Sequence, residues 1–76
     1  MKIEYCDHAL DQIKLRGITR QEVEQIIGDH DMDYTDKCGN PIYVGEVNGR
    51  RIKVVIQKES TNPIWVITAA EKDDEF

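Results

Sequence analysis

The chain has 76 residues, of which 39% are hydrophobic and 33% charged, and it carries a formal net charge of −5. This is the composition of one folded domain, near the size at which a single core only just suffices, so dimerisation or a partner would help it. The negative balance repels polyanions, so nucleic acid or an anionic membrane could be reached only through a local basic patch.

No basic-then-apolar leader opens the sequence and no apolar run approaches the span of a bilayer, so the expected location is the cytoplasm, with no membrane partner. Cys6 and Cys38 form neither a C-x-x-C pair nor a zinc spacing, and in a reducing compartment they read as free thiols.

In chain order, Lys2 to Tyr5 alternates polar and apolar residues and fits a short edge strand. Asp7 is placed to cap a helix that starts at His8, carries Ala9, Leu10 and Ile13 on a helical spacing, and stops at Gly17. The next start signal is stronger. Thr19-Arg-Gln-Glu22 is a capping box, flanked by Ile18 and Val23 at the two positions of a hydrophobic staple. The second helix then runs to Gly28 with Val23, Ile26 and Ile27 as its apolar stripe and Gln21, Glu24 and Gln25 facing water. Met32 to Lys37 fits a strand, and Cys38 to Pro41 a turn.

The centre of the fold is a hairpin. Pro41–Val47 and Arg50–Gln57 are β-favouring runs joined by Asn48-Gly49, whose residues both tolerate positive φ. A two-residue loop sets Val47 opposite Arg50, Glu46 opposite Arg51, Gly45 opposite Ile52, Val44 opposite Lys53 and Tyr43 opposite Val54. One face then carries Tyr43, Val47, Ile52, Val54 and Ile56 and calls for a helix. The other carries Val44, Glu46, Arg51, Lys53, Val55 and Gln57, with two cations at its centre. Lys58 to Pro63 reads as a longer turn, and Ile64 to Ala70 as a strand apolar on both faces, hence interior. Residues 71–76 form an acidic tail, expected to fray.

The expectation is therefore one α+β domain over residues 1–70, with two N-terminal helices packed on one face of an antiparallel sheet of three or four strands. Leu10, Ile13, Val23, Ile26, Ile52, Val54, Ile56 and Ile67 are the predicted core, and Trp65 joins Ile67 at period two.

Candidate chemistry is sparse. His8, Gln12 and Arg16 recur every four residues along one stripe of the first helix, where a packed histidine and a paired arginine are the simplest reading. Arg51 can pair across the hairpin with Glu46. Asp29, His30, Asp31 and Asp33 lack the spacing and turn glycine of a hard-cation loop and read as a solvated loop, so no metal and no cofactor are expected. Cys6 stands two positions from His8, but adjacency alone supplies no oriented base.

His8-Ala9-Leu10 with Arg16-Gly17-Ile18-Thr19, a capped acidic helix, the basic strand Arg51-Ile52-Lys53-Val54-Val55 and a terminal Ile67-Thr68 together resemble the small bacterial family DUF4258 from Tyr5 to about Ala70. The family pattern usually has a second arginine where Gln12 stands. Members are similar in plan to RelE-like and ParE-like toxins, some of which are metal-independent ribonucleases. The resemblance implies RNA or an antitoxin-like protein as partner. It also implies His8 as acid or base, Lys53 and Arg51 with Arg16 as a phosphate clamp, and Thr68 as a positioning hydroxyl. A non-catalytic protein-interaction module with a toxin-like fold fits the acidic charge balance better, and the two readings differ in whether these side chains converge on one cleft.

Overall fold

The computed structural model describes residues 2–60 and 63–71. The elements follow in the order β1 (Ile3–Tyr5), α1 (Asp7–Arg16), α2 (Arg20–Gly28), β2 (Met32–Thr35), β3 (Pro41–Val47), β4 (Arg50–Ile56) and β5 (Ile64–Glu71). The helix boundaries follow from local chemistry. Gly17 adopts the left-handed conformation at φ 69°, and the Ile18 N–H turns back to the Ile13 carbonyl at 2.8 Å, which closes α1. The capping box of α2 is complete: the Thr19 side chain accepts from the Glu22 N–H, and the Glu22 carboxylate accepts from the Thr19 N–H. Asp7 does not cap α1. It is itself the first helical residue, and Cys6 takes the cap position without a side-chain bond.

The five strands form one sheet in the order β1-β5-β4-β3-β2. This corrects the expectation of three or four antiparallel strands, because β1 adds a parallel pairing with β5 (Ile3 opposite Ile64, Tyr5 opposite Val66) and makes the sheet mixed. The β3–β4 hairpin has the register counted from the sequence, from Val47 opposite Arg50 to Ile42 opposite Val55, with Asn48 and Gly49 at φ 53° and 77° in the turn. β5 is interior, between β1 and β4, as its two apolar faces require. Glu71 belongs to β5 and not to a tail, and residues 72–76 lie outside the described residues.

A bulge decides which residues of β5 face which way. Thr68 pairs with Val55 but Val66 pairs with Ile56, so Ile67 is the additional residue. The side-chain alternation shifts by one there. Val66 and Ala69 can both face the helices, and Thr68 turns to the opposite side with Val55.

The helix side holds the main core: Ala9 and Ile13 of α1, and Val23, Ile26 and Ile27 of α2, close on Val47, Ile52, Val54, Ile56, Val66 and Ala69. A smaller cluster of Ile42, Val44 and Val55, with Ile67 against it, lies on the other face. Two expected core residues, Leu10 and Ile67, are only half-buried, and Trp65 is exposed because its strand parity turns it away from the helices.

Gly45 permits the close approach of α2. A Cβ at this position would stand 2.9 Å from Ile26 Cδ1, 3.3 Å from the Asp29 carbonyl oxygen and 3.4 Å from His30 Cα. The isoleucine tip can rotate, whereas the backbone at 29–30 cannot move without displacing the end of α2. Gly45→Ala is expected to destabilise the fold by about 1–3 kcal/mol through overpacking. Val54→Ala, at a fully buried position, should cost on the order of 2 kcal/mol. Urea midpoints report both, and a Gly45→Ala midpoint equal to the parent's would place α2 farther from β3.

Candidate functional site

The sheet face without helices is the surface on which function can be sought. It is built by strand parity. Met32 pairs with Val44 and Tyr34 with Ile42 across β2–β3, so these side chains share the face with Lys53, which pairs with Val44 across β3–β4, and with Val55. Trp65 lies between Ile64 and Val66, both of which pack into the main core, and therefore points to this side as well. Three large apolar side chains remain open here: Met32 at 42% exposure, Tyr34 at 40% and Trp65 at 40%. Val44 is fully buried on this face, packed with Ile42 and Val55.

Of the five residues expected to carry chemistry, Arg51, Lys53 and Thr68 fall on this face. Thr68 does so only because of the bulge. The Arg51 guanidinium reaches Asp31 at 3.3 Å, in place of its register partner Glu46. His8 and Arg16 belong to α1, which packs on the opposite face through Ala9 and Ile13. Both are exposed, and Arg16 Nε donates to Gln12 Oε1 at 3.2 Å, within the helix. The start of α1 is tied to the bulge: the Cys6 N–H donates to the Val66 carbonyl at 3.2 Å and its thiol to the Ile67 carbonyl at 3.3 Å. Cys6 and Cys38 are free thiols. Among the described residues no group of three His, Cys, Asp or Glu side chains is arranged to hold a metal ion.

Glu22 is an electrostatic feature that its capping role alone does not announce. Its carboxylate is buried, with Oε1 accepting from the Thr19 N–H at 2.9 Å and Arg50 Nη2 at 2.9 Å, and Oε2 accepting from Asn48 Nδ2 at 2.8 Å. The Thr19 backbone bond, then those from Asn48 and Arg50, hold its pKa down to about 2 from an ordinary 4.5. A hollow beside it is lined by Thr19, Gln21, Glu22, Glu24, Gln25 and Asn48, but the acid at its base is already saturated with donors and is not poised to transfer a proton.

His30 is the second unforeseen feature. Its ring stacks on Tyr43 with centroids 4.3 Å apart, Nε2 contacts Asp33 Oδ2 at 3.1 Å, and Nδ1 is buried without a hydrogen-bond partner. The loop read as solvated is thus anchored on the helix side of the sheet. Gly45, a glycine inside a strand, was the sequence signal for that close approach.

The family described as Domain of unknown function (DUF4258) matches residues 5–71, and the chain belongs to that family. No curated protein and no solved structure matches the chain. Among the described residues no helix is long and apolar enough to cross a membrane.

The Glu22 site has a pH signature. Its folded pKa lies below the unfolded value, so between about 4.5 and 2 the unfolded chain binds the additional proton, and stability rises with pH across that window. The contribution is complete above the unfolded pKa and is lost as acid approaches the folded one. Glu22→Gln should flatten this part of a stability-versus-pH profile measured by urea denaturation. A parent profile equally flat between pH 2 and pH 4.5 would show that the carboxylate is not held ionised.

Proposed function

We propose that this domain is a non-catalytic protein-interaction module that presents the helix-free face of its sheet to a partner. The observation that carries this reading is the character of that face. Met32, Tyr34 and Trp65 stand open around Ile42, Val44, Val55 and Ile67. Large aromatic and methionine side chains around an apolar centre are what protein interfaces are enriched in, and a desolvated aromatic anchor carries much of their energy. An RNA-binding surface needs cations available to phosphates, whereas Arg51 is engaged by Asp31, Arg16 donates to Gln12, and the chain as a whole is at −5.

A ribonuclease-like reading rests on the resemblance to toxin-like proteins and on one feature of the site. Thr68 and Lys53 share the open face, in adjacent rows of β5 and β4. In that reading Lys53 and Arg51 hold phosphate, and His8, at the start of α1 beside the bulge, supplies or removes a proton.

One pair of experiments separates the two. A photo-crosslinking residue at position 65, with position 15 on α1 as control, should capture a defined protein from a bacterial host, in competition with unlabelled domain. Trp65→Ala should then weaken that purified pair by about 2 kcal/mol or more, roughly thirtyfold. A short RNA should stay uncut and unbound at low ionic strength. Cleavage that His8→Ala reduces by roughly a hundredfold, with the fold intact, would establish the ribonuclease and overturn the module reading.

A further inference from the structure

We propose that the outer edge of β2 accepts an extended segment of a partner protein, with basic and apolar residues in alternation, as an added sixth strand. This inference rests on the interaction-module reading and names the geometry by which the partner binds.

The backbone gives the first argument. Among the described residues β2 closes one side of the sheet and pairs only with β3, and all four of its residues are exposed. Thr35 stands opposite Pro41, which has no N–H, and the Asp36 N–H next to it donates to the Asn40 carbonyl at 3.0 Å. Antiparallel pairing alternates, so Tyr34 and Asp36 direct their backbone groups towards β3, and Asp33 and Thr35 direct theirs outward. Two residues therefore offer both an N–H and a C=O to an incoming strand, the arrangement that β-strand addition uses.

The side chains specify what that strand carries. Met32 and Tyr34 point to the helix-free face and Asp33 to the helix side, where it meets His30. A paired strand places its residues directly opposite these on the same faces, so the added strand reads apolar opposite Met32 and Tyr34 and basic opposite Asp33. Charge favours the same occupant. Positions 29–36 contain four aspartates and no lysine or arginine, and the Asp31 and Asp33 side chains are 59% and 64% exposed. A second copy would bring two such acidic strands together on chains that each carry −5, which opposes self-pairing at this edge. The apolar side of the added strand would also extend the surface formed by Ile42, Val44 and Val55.

The probe is a synthetic seven-residue peptide of alternating lysine and valine, set against a peptide of the same composition in blocks and an alternating glutamate–valine peptide. The alternating lysine peptide should bind, with amide NMR shifts largest at Asp33 and Thr35, and the two controls should bind at least tenfold more weakly. Thr35→Pro removes an outward N–H that β3 does not use, so it should abolish binding and leave the thermal midpoint within a few degrees of the parent. Asp33→Lys should reverse the charge preference and provides a second test if the proline variant unfolds.

Shifts confined to Val55, Ile67 and Trp65 and insensitive to Thr35→Pro would overturn the edge inference while leaving the face itself as the interaction surface. Equal binding of the block peptide would reduce the contact to charge alone and overturn it too. Concentration-dependent broadening at β2 without peptide, abolished by Thr35→Pro, would make a second copy the occupant instead.

Discussion

Among the described residues one carboxylate is buried, that of Glu22, and the seating of α2 turns on it. A buried acid is costly unless its oxygens are satisfied, and Glu22 obtains its donors from three separate parts of the chain: the Thr19 amide at the start of α2, Asn48 in the hairpin turn and Arg50 at the start of β4. Arg50 also donates to the Gly17 carbonyl at 3.2 Å, so the end of α1 joins the same network. Apolar packing alone would tolerate small rotations of α2 over the sheet. The directed bonds of Glu22 select one, because each of its donors is fixed by a backbone or turn geometry of its own. At the other end of the same helix the absence of a side chain at Gly45 sets the spacing, so α2 is positioned by a bond at its start and by contact at its end.

That placement leaves the second sheet face without a helix over it among the described residues. Both helices pack on the other side. The bulge in β5 sharpens the division. It gives the helices Val66 and Ala69 and sends Thr68 to the open face, which a regular strand would not do. The open face consequently has a mixed character. Buried Val44 and Val55 form an apolar floor, the exposed rings of Tyr34 and Trp65 stand on either side, and Arg51 and Lys53 lie between.

Where the chemistry is local, the sequence makes the structure legible. The Thr19–Glu22 box, the Gly17 stop and the Asn48-Gly49 turn each specify a backbone geometry within a few residues, and the hairpin register follows by counting. What the sequence conceals is parity and partnership. Trp65 reads as core because its strand is apolar on both faces, and only the bulge and the parallel neighbour decide which side is covered. Glu22 reads as a surface cap until Asn48 and Arg50, 26 and 28 positions away, close over it. The polar stripe of α1 and the cations of β4 were both identifiable, but not the fact that α1 packs on the face of the sheet opposite to the one that carries those cations.

The parallel pairing of β1 with β5 has a consequence for the order in which the structure assembles. The β3–β4 hairpin closes through a two-residue turn and needs only neighbouring chain, whereas Ile3 meets Ile64 across almost the whole sequence. Loop-closure entropy makes such a contact late and slow, and it becomes favourable only once the rest of the sheet has formed a template for it. On the ribosome the constraint is stricter. Strand β1 leaves the exit tunnel before β5 and must wait without its neighbour until β5 has emerged, so during synthesis Ile3 and Tyr5 are carried uncovered. A protein that binds the nascent chain would meet this segment before the sheet does.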